Sequence, residues 1–354
     1  MMSLQMGLTI AGGVVLAGVV AHSAWTARKN QPKRATPEVD QIQKIDPTLP
    51  TEPLDPLLQR QEPRFDADPS LHALASLMTV EVKPGLDALI DVIALIVVES
   101  VVSGEAALAA MPSTRRAGSK PFGVEGLSVA HGMWEFPAIG QRYSAFQCGV
   151  QLANRLGALN QIEYSEFVMK AQTFADSINA EPEFPEMLDE VARARELDQF
   201  ASAHDAQISF TLRAVNTAWS PGYVQQHAAR LGFVAGSMPG RMVLPASQQG
   251  AHILGLSFDT HAAMSEDPEE TALREVSLSL DVPQVLRSER PFVRLREAAI
   301  ALAASMEGTI IDDNANPINL NAMDVIGSEL ETLYDTLDAR DLSAGSVLAK
   351  RLFS

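Results

Sequence analysis

Few residues in this sequence have the types and spacing that chemistry requires. The stretch "DDNANP", Asp312 to Pro317, resembles the opening of a calcium-binding loop, which supplies carboxylate and carbonyl oxygens to the ion. Pro317 stands where such a loop has its turn glycine, and Met323 stands where it has its bidentate glutamate. We therefore expect a polar turn. His252 and His261 have no third ligand at a metal-binding spacing.

The sequence also has no recognisable catalytic motif. It contains no glycine-rich phosphate loop, no HExxH and no GxSxG elbow. The single cysteine, Cys148, excludes an intrachain disulfide and suits a small apolar core position in a reducing compartment. A net charge of −17 argues against nucleic acid as a ligand. These features favour a binding protein without cofactor or metal, with a membrane-anchored enzyme as the alternative.

The N-terminal stretch from Leu4 to Trp25 has the composition of a membrane-spanning helix. Residues 1–27 contain no charged side chain, and about 20 apolar residues cross a hydrocarbon core. Bases follow this stretch and none precedes it, which predicts an outside N-terminus and a cytoplasmic body. A cleaved signal peptide and a buried core helix are the alternatives. Self-association of two such helices is expected through a stripe of small residues, Gly13, Ala17 and Ala21.

Residues 28–84 are predicted to form a proline-rich, flexible linker. Prolines recur every few residues, charges are mixed and apolar periodicity is not sustained, so the stretch cannot bury a core. About 40 such residues at roughly 3 Å each reach on the order of 100 Å. The linker would hold a folded body away from the membrane. The alternative is a poorly patterned part of that body.

The rest of the chain contains an internal repeat at one constant offset. "CGVQL" at Cys148–Leu152 and "VSLSL" at Val276–Leu280 both alternate as half-buried strands do. Further along, two amphipathic helices share one apolar spacing at the same offset, which predicts duplication of one unit. Chance agreement between two amphipathic helices is the alternative. The matched pairs are Tyr164 and Phe292, Phe167 and Leu295, Ala171 and Ala299, Phe174 and Leu302, Ala175 and Ala303, and Ile178 and Met306.

The predicted fold class is α+β, with an antiparallel sheet and helices on one of its faces in each copy. The opening strands are Ile90–Val98 and Ile208–Val215, and the helices after them begin at the capping residues Ser103 and Ser220. Each copy would follow the order β-α-β-β-β-α-β-α. The predicted ranges are 85–204 for a degenerate first copy, 205–340 for the second copy and 341–354 for a tail without an assigned role.

The order of these parts resembles the ZipA family of bacterial cell-division proteins, which tether the tubulin-like FtsZ to the inner membrane. An N-out anchor, a basic flank, a proline-rich tether and a β-α-β-β-β-α-β-α domain follow one another. In the second copy, "LGFVAGSM", "VSLSLDVP" and "AIALAASMEGTIIDD" resemble successive pieces of the family's C-terminal domain. In the first copy, "SGEAALAAM" and "AQTFADSIN" resemble its first two helices. A family member normally has one such domain, so two would be a departure.

The resemblance implies an adaptor at the division septum that works by binding alone. In the family, the open face of the sheet forms a shallow apolar groove for the C-terminal peptide of FtsZ. Met238 matches a methionine of that groove. The other groove positions of the second copy are polar, and they are Ser209, Ser257, Ser277, Ser279 and Asp259.

A polar face would weaken the hydrophobic drive for binding a peptide. Three alternatives follow. The groove lies on the first copy, whose opening strand is apolar on both faces through Ile93 and Leu95. Alternatively, the partner is a different protein, as in a scaffold for envelope assembly, or the two copies bury these faces against each other.

Overall fold

The computed structural model describes residues 32–35 and 85–354, apart from 249, 266, 268–270 and 313. The predicted anchor, residues 1–27 with Gly13, Ala17 and Ala21, lies outside the described residues, as does most of the predicted linker. Within the described ranges, no helix is both long and apolar enough to cross a membrane.

The first half of the body is built around an antiparallel sheet. Along its opening strand, Val92, Ala94 and Ile96 are buried, whereas Ile93 and Leu95 lie on the opposite, open face. The strands are β1 Asp91–Ser103, β2 Arg116–Ala117, β3 Lys120–Ser128, β4 Trp134–Glu135, β5 Arg142–Gln151, β6 Ala153–Asn154, β7 Gly157–Ala158 and β8 Ala180–Glu183, and the helices are α1 Gly104–Ala110, α2 Gln161–Ser177 and α3 Met187–His204. The order in this first sheet is β2-β3-β5-β1-β8, with β4 beside β3, and β6 and β7 form a hairpin.

The second half is built around another antiparallel sheet. Its first helix begins as predicted, because the Ser220 hydroxyl accepts a hydrogen bond from the Tyr223 amide and Pro221 stands at the first helical position. The strands are β9 Gln207–Ala214, β10 Val234–Ala235, β11 Arg241–Pro245, β12 His252–Ser257, β13 Glu275–Asp281 and β14 Gly308–Ile311, and the helices are α4 Pro221–Arg230, α5 Thr260–Ala263, α6 Pro291–Met306, α7 Leu320–Asp338 and α8 Val347–Leu352. The order in this second sheet is β10-β11-β12-β13-β9-β14. The fold class is therefore α+β with antiparallel sheets, as predicted.

The central strands have the same arrangement in both sheets. The long strand before the long helix pairs with the opening strand, as β5 does with β1 and β13 with β9. The short strand after that helix pairs with the other side of the opening strand, as β8 does with β1 and β14 with β9. The residues before these short strands, Asn179 and Glu307, both have left-handed backbones, with φ of 50° and 56°. The matched apolar residues of α2 and α6 are buried or half-buried.

The C-terminal residues, for which the sequence indicated no role, join the two halves. Arg351 donates hydrogen bonds to both carboxylate oxygens of the buried Asp91 in β1, at 2.5 and 2.9 Å. Gln151 in β5 donates to the carbonyl of Arg351 at 2.8 Å. Gln284 of the second half donates to the carbonyl of Phe353 at 2.7 Å. Helix α8 and the residue after it therefore connect the first half of the body to the second half through hydrogen bonds.

Residues 32–35, which the sequence assigned to the linker, lie against the second half. Lys33 forms a parallel bridge to Trp219. Its amide donates to the Ala218 carbonyl at 2.7 Å, and its carbonyl accepts from the Ser220 amide at 2.8 Å. This corrects the linker prediction at these residues, because their backbone is hydrogen-bonded to the folded body.

Candidate peptide-binding surfaces

An apolar cleft lies at the outer edge of the first sheet. Strand β3 forms its base, and the short strands β2 and β4 pair with separate parts of β3. Between them, none of the described residues forms a strand against the outer edge of Gly123–Glu125. We call this the edge cleft, and its volume is about 400 Å³. Its apolar lining consists of Leu86, Met111, Pro112, Pro121, Phe122, Val124, Trp134 and Phe136.

Aromatic side chains and a basic group form the mouth of the edge cleft. Phe136 is 45% exposed, and the guanidinium of Arg115 lies 4.6 Å from the centre of its ring. Glu135, which also lines the cleft, accepts a hydrogen bond from the Tyr143 hydroxyl at 3.2 Å, and that hydroxyl accepts from the Ala138 amide at 2.8 Å. Burial raises the pKa of Tyr143, so its hydroxyl keeps its proton. Exposed apolar surface with a polar rim is typical of interaction sites.

Gly85 and Leu86, which precede the first sheet, cover the part of the open face next to the edge cleft. Leu86 lies over Gly123 and Gly149, and a β-carbon on Gly149 would come within 2.6 Å of the Leu86 side chain. The carboxylate of Glu125 accepts hydrogen bonds from the amides of Gly85 and Leu86. The two glycines therefore make room for an apolar side chain of the protein itself.

Ile93 and Leu95 lie on this same open face, where a groove on the first copy was one of the predicted alternatives. Ile93 pairs with Gly149, and Leu95 pairs with Gln147. Ile93 is half-buried and Leu95 is 40% exposed. Gly149 and Gly123 separate Ile93 from the edge cleft along the sheet. Leu86 covers both glycines and forms the wall of the cleft on the side of Ile93.

The open face of the second sheet is polar, and we call it the serine face. It carries Ser209 on β9, Ser257 on β12, and Ser277 and Ser279 on β13. The hydroxyls of Ser209 and Ser277 are hydrogen-bonded at 2.7 Å. Ser209 and Ser279 are exposed. The two sheets therefore do not bury these faces against each other, which was another of the predicted alternatives.

A second cleft, of about 850 Å³, opens over the serine face. The Arg155 guanidinium at its border contacts the carboxylates of Asp205 and Asp281 at 2.6 and 2.7 Å. The Lys350 ammonium donates to the side-chain oxygen of Gln248 at 3.3 Å. Serine hydroxyls and charged groups share the lining of this cleft with apolar side chains such as Val243 and Val285. In proportion to its size, less of its surface than of the edge cleft therefore contributes hydrophobic free energy.

The other two groove residues that the resemblance predicts, Met238 and Asp259, do not lie on the strands of the serine face. Met238 lies in the turn between β10 and β11 and is 51% exposed. Asp259 begins the short helix α5, and its carboxylate accepts from the His261 amide at 2.9 Å. Asp259 therefore has a structural role as the N-cap of α5.

One buried cluster places a lysine beside a serine, which could indicate nucleophilic catalysis. The Lys120 ammonium donates to the Ser119 hydroxyl at 2.9 Å and to Asn154 at 3.0 Å. Burial lowers the pKa of Lys120, and the charges of Glu163 and Asp198 act in the opposite direction. The Ser119 hydroxyl donates to Glu163 at 2.7 Å. Because the serine proton is held by a carboxylate and the lysine is surrounded by acceptors, we interpret the cluster as structural.

Other titratable groups are arranged for structure as well. Burial raises the pKa of the Cys148 thiol, which keeps it protonated and unreactive. The Asp312 carboxylate accepts from the amides of Asn314 and Asn316 at 2.9 and 2.8 Å, which closes a polar turn. Among the described residues, no group of three or more His, Cys, Asp or Glu side chains could hold a metal ion.

The aromatic residues of the edge cleft were not among the predicted site residues. The available signal is "HGMWEFPAIG" at 131–140, which concentrates apolar and aromatic residues between turn-forming ones. Turn-forming residues at both ends leave room only for the two-residue strand β4, so the remaining apolar side chains of the segment lie in loops. Their convergence with Met111 and Pro112 depends on the sheet.

Comparison with known proteins adds no family assignment. No protein-family model matches the chain, and no curated protein matches it. A function for this protein is therefore inferred from the two sheets, the edge cleft and the serine face.

Proposed function

We propose that the protein is a membrane-anchored adaptor that binds a short peptide of a partner protein and performs no catalysis. The observation that carries this proposal is the edge cleft, where apolar and aromatic side chains surround a gap in the pairing of β3. An extended peptide can add backbone hydrogen bonds to a sheet edge while alternate side chains enter apolar pockets. Binding of this kind needs no deep polar active site.

The proposed partner is the C-terminal peptide of FtsZ, with the adaptor tethering the division ring to the bacterial inner membrane. This part rests on the resemblance to the ZipA family and on the predicted N-terminal anchor. The edge cleft supports it in one respect, since its lining is mostly apolar, whereas the cleft over the serine face has a mixed polar and apolar lining. Its position at the sheet edge differs from the open-face groove of the family.

Duplication of a ZipA-like unit is a further part of the proposal. The same pairing of central strands in both sheets supports it. So does the constant sequence offset, which runs from the strand through the helix to the left-handed Asn179 and Glu307. In this proposal the first copy binds the peptide through the edge cleft, and the second copy does not bind it.

A scaffold with another partner in envelope assembly is the second candidate. The serine face favours it, because a hydroxyl-lined floor with Arg241 beside it suits a polar ligand better than an apolar peptide. The two candidates share the architecture and differ in the molecule that is bound.

Fluorescence anisotropy of a labelled FtsZ C-terminal peptide, titrated with the full-length protein in detergent, tests the proposal. We expect saturable binding in the micromolar range that Phe136→Asp weakens at least ten-fold. Met264→Asp is the matched control, because Met264 is an exposed apolar residue of the second half outside both clefts. Met238→Asp reports on the second copy and should bind like the wild type. A folded wild-type protein without binding would exclude FtsZ and favour the scaffold.

A further inference from the structure

Lys33 supplies hydrogen-bond partners to buried backbone groups of the second half. Ala218, Trp219 and Ser220 are all buried. The amide and carbonyl of Trp219 pair with Leu273 on one side, at 2.8 Å each. On the other side, the Ala218 carbonyl and the Ser220 amide are hydrogen-bonded to Lys33. Buried backbone groups need such partners, so this strand-like contact is part of the packing of the second half.

The side chains around Lys33 strengthen the contact. Its ammonium lies 2.8 Å from a carboxylate oxygen of Glu307 and 6.0 Å from the centre of the Tyr223 ring. The residue before Glu307, Met306, accepts a hydrogen bond from the indole of Trp219 at 2.8 Å. Pro32 is buried. The residues that contact Trp219 and its neighbours therefore also hold residues 32–35.

This contact lies very near the predicted membrane anchor in the sequence. Residues 28–31 alone separate the anchor, which ends at Ala27, from Pro32. Five residue steps span at most about 18 Å when fully extended. Farther along the chain, Gly85 is also held by the body, because its carbonyl accepts a hydrogen bond from Arg351. The stretch from 36 to 84 thus begins and ends on the folded body, and its length cannot set the distance to the membrane.

We propose that residues 32–35 are a clamp that holds the second half of the body against the lipid surface, within about 18 Å of the end of the anchor. The proposal rests on the membrane anchor of the proposed function. It replaces the tether of on the order of 100 Å that composition predicts. The surface brought near the lipid headgroups includes helix α4, on which His227 stacks against Tyr223 with ring centres 4.3 Å apart.

Energy transfer in proteoliposomes measures this distance. The full-length protein carries a donor on Asn216→Cys, an exposed position near the clamp, and the native Cys148 is buried. Acceptors are placed on lipid headgroups. We compare the wild-type clamp with Lys33→Pro, which removes the amide donor and the ammonium. The matched control is Lys33→Gln, which keeps both backbone hydrogen bonds.

We expect efficient transfer for the wild-type clamp and for Lys33→Gln, and a decrease of at least two-fold for Lys33→Pro. Transfer in the wild type as low as in Lys33→Pro would overturn the clamp. Flotation of the same liposomes separates the two proposals. A protein that floats but shows low transfer contradicts the clamp alone, whereas a protein that does not float contradicts the anchor and the clamp together.

Discussion

Arg351 holds both carboxylate oxygens of Asp91, although the two residues are 260 positions apart in the chain. Asp91 is fully buried in β1, and Arg351 belongs to the C-terminal helix α8. Burial raises the pKa of Asp91, and the hydrogen bonds and charge of Arg351 only partly oppose that effect. The ionised carboxylate in the first sheet thus depends on a guanidinium from the end of the chain.

Replacing Arg351 should destabilise the whole body. Arg351→Ala leaves Asp91 buried without its cation, and we expect the free energy of unfolding to decrease by about 3–5 kcal/mol. Urea denaturation measures the change. Arg296→Ala is the matched control, because Arg296 pairs with Asp324 at the surface and should cost less than about 1 kcal/mol. Equal effects of the two substitutions would contradict the role of the buried pair.

A methyl group at Gly149 should displace Leu86. The new β-carbon would lie within 2.6 Å of the Leu86 side chain, so Gly149→Ala should reduce the free energy of unfolding by about 1–3 kcal/mol. In a Leu86→Ala background, the same change should cost much less, because the clash is gone. A double-mutant cycle by urea denaturation tests this. Equal costs in both backgrounds would show that Leu86 does not pack on Gly149.

Glu163 should make stability depend on pH in the acid range. Burial alone would raise its pKa, but hydrogen bonds from Ser119 and Asn160 and the charge of Lys120 outweigh burial and lower it. A carboxyl with a lower pKa in the folded state stabilises the protein above its ordinary pKa of 4.5 and loses that contribution as pH falls.

Glu163→Gln is the variant that isolates this contribution. We expect the wild type to exceed it in stability at neutral pH, with a difference that shrinks as pH falls below 4.5. Urea denaturation of both proteins from neutral pH into the acid range gives the comparison. A difference that stays constant with pH would mean that hydrogen bonding by the ionised carboxylate is not the cause.

Residues 32–35 should contribute measurably to stability. A chain that begins at residue 36 lacks the two backbone hydrogen bonds of Lys33, at about 1 kcal/mol each, so it should be about 2 kcal/mol less stable than one that begins at residue 32. Both chains carry the same stretch from 36 to 84, which makes them a matched pair. Identical denaturation midpoints would contradict the contact.

Features with a local pattern could be predicted from the sequence. Alternation along β13 buries Val276, Leu278 and Leu280 and leaves Ser277 and Ser279 on the open face, as parity requires. The helix start at Ser220 follows from capping chemistry in the same way. Both features are determined by residues close together in the chain, so the sequence is sufficient to predict them.

Features made by distant residues could not be predicted. The Lys33 contact lies in a proline-rich stretch with no periodicity, and its partner Trp219 is recognised only in the folded state. The edge cleft depends on a gap between β2 and β4 along β3, which is a property of strand register. The connection through α8 depends on the burial of Asp91, which strand alternation alone does not reveal.

Photo-crosslinking tests the central claim, peptide binding at the edge cleft, most directly. A FtsZ C-terminal peptide carrying a benzophenone group is irradiated with the full-length protein, and the attachment sites are mapped by mass spectrometry. We predict attachment at the cleft residues Met111, Trp134 and Phe136, with competition by unlabelled peptide. Attachment at the serine face instead, or no attachment that unlabelled peptide can suppress, would contradict the assignment of the edge cleft as the peptide site.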